Sequence, residues 1–368
     1  MAREHKETGE ERPVSGFTRR VQRTGISSLS ITLPKSWSDS MNLQVGDVLR
    51  FRDLGAGRLE VRPARVDSPE ERRQRLLRID ATDAAPNLVS RLLVGGYITG
   101  QDHIIVTART ALTREQRREV RHTVSHVLGM TVVEESTDSI EVQNFVDPGR
   151  YQLHRLLGQV VRILRSELET CLAVLRGTDG AALEQIGTLE DEVDRFYLLM
   201  VRQLLLASDD FQVARDIGVE SHHYQIGYRL IAKVIEVLGD LLSGVAHDIA
   251  QNLAGFRKLA KTDRTSLVTL ITRFDERLRR TMEAFDNLSV VDANAVLNEI
   301  AETQPAESTT GDSLARQVKE RTVAVAAQRV VSNIIMATEM LVIVNEVTIN
   351  RSVEPETVAK TDRNVAMG

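Results

Sequence analysis

The stretch Leu189-Glu190-Asp191-Glu192-Val193-Asp194-Arg195-Phe196-Tyr197 decides how the C-terminal half of the chain is interpreted. Glu190 and Asp194 are four residues apart, so a helix places their carboxylates one turn apart on the same side. These two acids border the apolar stripe of the helix rather than lying opposite it. The stripe itself is predicted from apolar residues that recur at helical spacing: Leu189, Val193, Phe196, Met200 and Leu204.

A second acidic pair, Glu236 and Asp240, has the same spacing and follows about 46 residues later. Like charges four residues apart destabilise a helix by about 0.2–0.5 kcal/mol per pair. Two such pairs on neighbouring helices therefore indicate a cation between them. On a helical wheel we expect the second pair to face solvent, because it lies opposite the apolar residues Leu230, Val234, Val237 and Leu241.

These motifs resemble the E(D)xxxD metal motifs of the PhoU family, which are all-helical prokaryotic regulators of phosphate uptake. The resemblance covers about residues 147–353 and implies an all-α domain of two three-helix bundles. It implies that Glu190, Asp194, Glu236 and Asp240 bind a metal ion. Asp191 enlarges the acidic patch and is a further candidate ligand, whereas Glu192 points elsewhere on the helix.

The identity of the metal stays open between Fe, Zn, Mn and Mg. Carboxylates alone suit hard or borderline cations, while the resemblance favours iron, zinc or another transition metal. The resemblance also implies two kinds of partner, the ATPase subunit of a phosphate ABC transporter and a sensor kinase. We expect one metal site, because Ile343 stands where the second half of the domain would repeat the second acid.

The N-terminal segment has a different pattern. Residues 28–33 alternate with period two, which predicts a half-buried strand that Pro34 ends, and residues 48–51 and 59–61 predict two more short strands. A unit of about 50 residues is too small for a stable core of its own. We therefore expect it to pair with a second copy of itself.

Three runs in this segment resemble the AbrB/SpoVT/MazE swapped-hairpin DNA-binding domain over about residues 16–64: Arg20-Val21-Gln22-Arg23-Thr24-Gly25, Ser28-Leu29-Ser30-Ile31-Thr32-Leu33-Pro34-Lys35 and Val45-Gly46-Asp47. Between Phe17 and Lys35 there is no acid, and the candidate DNA contacts are the four cations Arg19, Arg20, Arg23 and Lys35. A dimer would present eight such side chains to phosphates. The alternative is a solvated basic face that binds nothing.

Residues 65–146 predict an α+β module in the order βαβαββ, with a helix that begins after Thr113 as N-cap and ends at Gly129. His122 and His126 on that helix have a spacing that metal sites use. No third ligand is evident, so we assign this module no chemistry.

The remaining chain predicts helices at about 150–176, 180–208, 217–250, 255–287, 293–303 and 312–350, with a polar loop at 304–311. The whole protein is therefore expected to be multidomain. Its expected parts are a disordered arm (1–15), the AbrB-like domain (16–64), the α+β module (65–146), the helical domain (147–353) and a flexible tail (354–368).

Composition indicates a cytoplasmic protein. The 368 residues carry a net charge of −5 and one cysteine, Cys171, so no internal disulfide forms and a reducing compartment fits. Residues Met1 to Pro13 contain no apolar run and do not form a signal peptide. No stretch approaches 18 consecutive apolar residues, so we expect no membrane insertion.

We expect no enzyme activity, because the sequence has no GxSxG, P-loop, HExxH or CxxC motif. Cys171 is expected to be buried and inert, and His222 and His223 are expected at the start of a helix. Two functions stay open: a DNA-binding regulator of phosphate uptake, and an adaptor whose N-terminal domain only dimerises. A carboxylate-metal enzyme is disfavoured, because the Glu-x-x-His pairs of di-iron bundles are missing.

Overall fold

The computed structural model describes residues 18–25, 28–53, 57, 59–63, 76–178, 180, 183, 186–219 and 221–353. The chain divides into two compact units, one before and one after the Arg73–Gln74 bond. The predicted fold class is confirmed: a small β unit, an α+β module and an all-helical region follow one another along the chain. The arm expected at 1–15 and the tail expected at 354–368 lie outside the described residues.

The N-terminal unit has two antiparallel hairpins and one short helix. Strand β1 (Gln22–Thr24) pairs with β2 (Ser28–Ser30), helix α1 covers Lys35–Ser40, and β3 (Leu49–Asp53) pairs with β4 (Leu59–Pro63). The strand predicted at 28–33 is shorter than expected, and β1 adds a strand that the alternation did not reveal.

This unit leaves its apolar side chains open to solvent. Among its described residues only Pro63 is buried. Leu29 is 71% exposed. The other exposed apolar residues of this unit are Val21, Ile31, Val45, Val48, Phe51 and Leu59. The alternating pattern predicted a buried face, and one copy of the chain does not bury it.

The α+β module has the predicted element order βαβαββ: β5 (Leu76–Asp80), α2 (Leu88–Ile98), β6 (His103–Thr107), α3 (Arg114–Ser125), β7 (Met130–Glu135) and β8 (Ser139–Asn144). The sheet order is β5-β6-β8-β7, with β5 and β6 parallel and the other pairs antiparallel. Thr113 caps α3 as predicted, in a capping box with Gln116. His126, and not Gly129, is the C-cap.

The helical region begins with a 3₁₀ turn at Pro148–Arg150 and continues as α4 (Leu153–Leu175), α5 (Ile186–Asp209), α6 (Phe211–Asp216), α7 (His222–Gln251), α8 (Leu253–Lys258), α9 (Lys261–Asn287), α10 (Val290–Gln317) and α11 (Arg321–Ser352). The long helices form two sets of three. Helices α4, α5 and α7 pack together, as do α9, α10 and α11, and the sets meet where α7 packs on α11 and α4 on α9.

The prediction of a polar loop at 304–311 is wrong, because helix α10 continues through these residues and contains Pro305. Pro305 lacks an N–H and weakens the helix locally. Packing compensates: Glu307 is buried and its carboxylate accepts from Arg273 (2.7 Å) and Arg277 (3.1 Å) of α9. This buried ion pair fixes the segment in the helix that its sequence disfavours.

The third long helix begins later than the predicted residue 217. Asp210 caps the separate helix α6, its side chain accepting from the backbone N–H of Gln212 at 2.8 Å. Gly218 then adopts a left-handed φ of +80°, which interrupts the helix, and α7 starts only at His222. This five-residue difference determines where Glu236 and Asp240 lie along the axis of α7 relative to the acids of α5.

Helix α11 qualifies the expectation about membranes. An 18-residue window of it has a mean hydropathy of 1.6, enough in length and composition to cross a membrane, although the helix has no uninterrupted apolar run of that length. Half of the window is buried against the other helices. Core helices of soluble proteins pass the same test.

A buried arginine joins the α+β module to the helices. The side chain of Arg202 on α5 is 1% exposed and donates to the backbone carbonyls of Tyr97 (2.5 Å) and Gln101 (3.0 Å). It also pairs with the Asp102 carboxylate at 2.5 Å. These acceptors lie in and after α2, so α5 holds the end of that helix directly.

Candidate metal centre and nucleic-acid interface

Three of the five predicted metal ligands converge. Asp194 on α5 and Glu236 and Asp240 on α7 each offer one carboxylate oxygen, and these oxygens all lie within 4.8 Å of one another. Within the described part of the chain this is the one group of three or more such ligands. We call it the acidic cluster.

The register of two antiparallel helices produces this convergence. Asp194 lies 15 residues before the last residue of α5, Asp209, and Glu236 lies 14 residues after the first residue of α7, His222. The two acids are therefore level. A start of α7 at residue 217 would have offset them by more than one turn at 1.5 Å per residue.

A glycine brings the two helices close at this height. A Cβ atom at Gly239 would lie 2.9 Å from Val193 Cγ1, closer than side chains pack. Gly239 precedes Asp240, and Val193 precedes Asp194. The missing side chain therefore lets α5 and α7 approach beside the acidic cluster.

The prediction that both acids of α7 face solvent is wrong for Glu236, whose side chain is only 15% exposed, while Asp240 is exposed. Leu230, assigned to the buried face, is 44% exposed. Val234 is buried as predicted, and Ile231, Ile235, Leu238 and Leu242 form the rest of the buried face. Helix α7 packs on α4, α5 and α11, so it carries apolar residues on most of its circumference. The helical wheel therefore could not decide which side of α7 faces solvent.

The acidic cluster carries negative charge that its one described cationic neighbour, Lys233, offsets only in part. Burial first, and then the neighbouring Asp240, Glu236, Glu190 and Asp191 carboxylates, together raise the pKa of Asp194 to about 6. Burial and Glu236 raise the pKa of Asp240 in the same way. Carboxylates with raised pKa values are ones whose charge is poorly solvated, and a bound cation would relieve this.

Lys233 is a cationic neighbour of the acidic cluster. Its Nζ forms an ion pair with Glu236 three residues later on α7. The lysine side chain is 50% exposed, so this pair is solvated and weak. A metal ion bound to Glu236 would have to displace it.

The other two predicted ligands, Glu190 and Asp191, are near the cluster but do not belong to it. Glu190 is exposed, and burial, then Asp240 and Asp191, raise its pKa. The Asp191 Oδ1 atom lies 3.6 Å from His126 Nε2 on α3 of the α+β module. Both carboxylates contribute to the negative field at Asp194.

Sequence reasoning missed one acid, Glu167 on α4, which is 2% exposed. Burial raises its pKa to about 7; the Ser243 hydroxyl opposes this rise and the Glu190 carboxylate adds to it. The signal was present in the sequence, because Glu167 stands in the apolar stripe of α4, three residues after Leu164 and four before Cys171. Its carboxylate interacts electrostatically with that of Glu190.

The donor set fits a hard or borderline divalent cation. The acidic cluster offers only oxygen ligands, which suit Mg, Mn and Fe(II). Glu190 and Asp191 supply further negative charge nearby. The repulsion between these carboxylates is the property that a cation would remove.

The corresponding acids of the second helix set have protein partners. Glu299 on α10 accepts from Arg277 (3.0 Å) and Arg280 (2.5 Å) of α9, and Glu339 on α11 accepts from Gln304 at 3.0 Å. Glu299 is thus neutralised by two arginines, whereas among the described residues the acidic cluster has one lysine, Lys233, beside three carboxylates. The number of metal sites and metal binding itself stay predictions.

The four candidate DNA contacts, Arg19, Arg20, Arg23 and Lys35, are all exposed. Arg23 lies in β1 opposite Leu29 of β2, and Lys35 begins α1. Cys171 is buried as predicted, and burial raises the pKa of its thiol, which keeps it unreactive. The side chains of His222 and His223 lie outside the described residues.

Comparison with known families supports the N-terminal assignment. Residues 22–68 match the sequence model of a family described as MazE, bacterial antitoxin, for antidote-toxin recognition. No curated protein matches the chain. The match defines the class of the N-terminal domain as AbrB/MazE-like and supports a DNA-binding regulator in general, with DNA and a second copy of the chain as its partners.

Proposed function

We propose that the protein is a DNA-binding regulator of phosphate uptake, in which the N-terminal domain contacts operator DNA as a dimer and the helical body binds a divalent metal ion. The observation that carries this proposal is the meeting of the two E/D-x-x-x-D motifs. Asp194, Glu236 and Asp240 approach within 4.8 Å in a body built of two sets of three helices. That combination is what the PhoU resemblance implies.

The negative potential of the acidic cluster supports the metal part of the proposal. Asp194 is partly buried beside four other carboxylates, and its pKa is raised to about 6. Asp194, Glu236 and Asp240 would hold the ion, with Glu190 close by. Iron, zinc, manganese and magnesium are the candidate ions, and the all-oxygen ligands favour the harder ones among them.

The basic face of the N-terminal unit supports the DNA part. Arg19, Arg20, Arg23 and Lys35 are exposed and no acid interrupts them in sequence. The exposed apolar side chains of the same unit require a second copy to cover them, which doubles the cations. We infer that the chain regulates rather than catalyses, and that it acts in the cytoplasm.

Mapping the DNA bound in cells, with transcript levels measured at high and low phosphate, tests the proposal. We expect bound sites upstream of phosphate-uptake genes whose transcription changes when the gene for this protein is deleted. Arg20→Ala/Arg23→Ala should lose those sites, and Arg50→Ala, an exposed cation of β3 in the same unit, should keep them. Phosphate-dependent changes that persist in Arg20→Ala/Arg23→Ala would favour the adaptor instead, with the transporter ATPase or sensor kinase as partner.

A further inference from the structure

A groove of about 610 Å³ lies beside the N-terminal end of α4. It is formed by the 3₁₀ turn, the first three turns of α4 and single residues of α5 and α6. Pockets that bind small molecules usually have volumes of about 300–1,000 Å³, so this groove has room for a ligand of nucleotide size. We call it the arginine groove, because Arg150, Arg155 and Arg162 line it.

The arginine groove carries positive charge that the protein does not neutralise by ion pairs. Its three arginines are exposed, and none forms an ion pair with a residue in the part of the chain that the structure describes. Other arginines of the helical body are paired with acids: Arg165 with Asp275, Arg273 with Glu307 and Arg329 with Asp248. One acid lines the groove, Asp216, and its carboxylate accepts from Gln212 at 2.7 Å. Three cations therefore face one carboxylate, in a chain whose net charge is −5.

A buried glutamine fixes the turn that carries Arg150. Gln203 on α5 is fully buried, and its Nε2 atom donates to the carbonyl oxygens of Pro148 and Tyr151, both at 2.6 Å. These bonds hold the backbone on both sides of Arg150. A ligand would bind there without first ordering the turn, which lowers the entropic cost of binding.

Helix α4 supplies the other two cations from one face. Arg155, Gln159 and Arg162 are four and three residues apart, so they lie on the same side of the helix. Arg162 Nη2 donates to Gln159 Oε1 at 2.5 Å. The N-terminus of α4 lies at the same end of the groove, and its N-cap residue Gln152 forms no capping hydrogen bond with its side chain. The partial positive charge of this helix end and the arginines favour the same kind of ligand, an anion.

The arginine groove also has an apolar surface. Leu156 is buried, and Phe196 on α5 is partly buried and packs against the core of the helical body. The planar guanidinium group of arginine matches phosphate, which it binds through two parallel hydrogen bonds. An aromatic ring offers contact area to a planar apolar group. These features together fit a ligand that has phosphate groups and an apolar part.

We propose that the arginine groove binds a phosphorylated small molecule of nucleotide size. Its phosphates would lie on Arg150, Arg155 and Arg162, and its apolar group would contact Phe196. This site rests on the groove and not on the proposed function. It is distinct from the acidic cluster, because it takes an anion where the cluster would take a cation.

Titration calorimetry of the full-length protein with ATP tests this site, in buffer with EDTA so that no metal links ATP to the acidic cluster. Arg155→Ala/Arg162→Ala should lower ATP affinity by at least about tenfold, because hydrogen bonds between charged groups are lost. Arg176→Ala, an exposed arginine at the C-terminal end of the same helix, should keep the wild-type affinity. So should Arg20→Ala/Arg23→Ala in the N-terminal unit. Inorganic phosphate should bind more weakly than ATP, because it makes no contact with Phe196.

Equal ATP affinity in Arg155→Ala/Arg162→Ala and the wild type would overturn the proposal. So would inorganic phosphate that binds as tightly as ATP, because the ligand would then be the free ion. Loss of DNA binding in Arg155→Ala/Arg162→Ala would overturn it as well, since the groove would then belong to the DNA interface. Failure of the wild type to bind DNA, or metal at the acidic cluster, would leave the ATP titration unaffected.

Discussion

The Asp194 carboxylate on α5 lies within 4.8 Å of the Glu236 carboxylate on α7, although 42 residues separate them in sequence. Neither acid is placed there by its own helix alone. The approach depends on the level register of the two helices and on the missing side chain at Gly239. The predictions about the body of the protein follow from this contact.

Removing the α7 acids should abolish metal binding at the acidic cluster. We expect Glu236→Gln/Asp240→Asn to lower Mn²⁺ affinity by at least about tenfold, because two of three converging ligands are lost. Titration calorimetry of the chelator-treated protein measures this. Glu192→Gln removes an exposed charge from the same region and is the matched control. Equal affinity in the double variant and the wild type would rule out the site.

Lys233→Met should have the opposite effect. Lys233 pairs with Glu236 and competes with any cation for it. Without the lysine we expect tighter Mn²⁺ binding and a larger rise in melting temperature with added metal, by mass action on the folded state. Weaker binding in Lys233→Met would show that the lysine supports the site rather than competing with the ion.

The contribution of Asp194 to the stability of the metal-free protein should fall as pH rises between about 4 and 6. The pKa of Asp194 is raised from 3.8 to about 6 on folding, so the folded state binds the proton more tightly than the unfolded state in this range. Stability linked to this group is therefore fully present below pH 3.8 and is lost as pH rises through 6. Asp194→Asn should flatten this part of the curve of unfolding free energy against pH, measured with urea. Glu192→Gln should leave it unchanged.

The N-terminal unit should fold only as a dimer. Leu29→Asp places a charge on a face that a second copy must cover, and burying an unpaired charge is costly enough to prevent association. We expect a fragment of residues 1–73 to be a folded dimer at micromolar concentration by light scattering, and its Leu29→Asp variant to be unfolded. A folded monomer of the wild-type fragment would contradict this prediction.

DNA binding by the basic face should depend on salt through counterion release. Arg20→Ala/Arg23→Ala should weaken binding and reduce the slope of log affinity against log salt by about one unit for each lost phosphate contact. Arg50→Ala, an exposed cation on β3, should keep the wild-type slope. The interface assignment fails if the slopes of the double variant and the wild type coincide.

Local patterns predicted the element types but not every orientation. The apolar stripe of α5 is confirmed for Val193, Met200 and Leu204, which are buried, while Phe196 is partly buried and the side chain of Leu189 lies outside the described residues. Helix α7 was misoriented because it contacts three other long helices and is apolar on most sides. Polar residues, Pro305 and Gly311 indicated a loop that the Glu307–Arg277 ion pair converts into helix.

The candidate sites were predictable to different degrees. The four-residue spacing of the acids predicted which carboxylates share a face, and the structure brings together Asp194, Glu236 and Asp240. The start of α7 depends on Gly218 and on the cap at Asp210, which fix the register. The contact between His126 and Asp191 joins the α+β module to α5. Helical periodicity could not predict it, because periodicity describes only residues within one helix.

The hydrogen bonds of the buried Arg202 side chain to the end of α2 determine where the protein can be divided. A cut near residue 147, after the last strand, would leave the buried guanidinium of Arg202 without its carbonyl acceptors. The C-terminal end of α2 would lose the same hydrogen bonds. We therefore expect the α+β module and the helices to unfold in one cooperative transition, and to need transfer as one piece in a chimera. The Arg73–Gln74 boundary is the natural seam for exchanging the N-terminal unit. A chimera joined there would keep the acidic cluster and the Arg202 contacts intact while giving the body a different N-terminal domain.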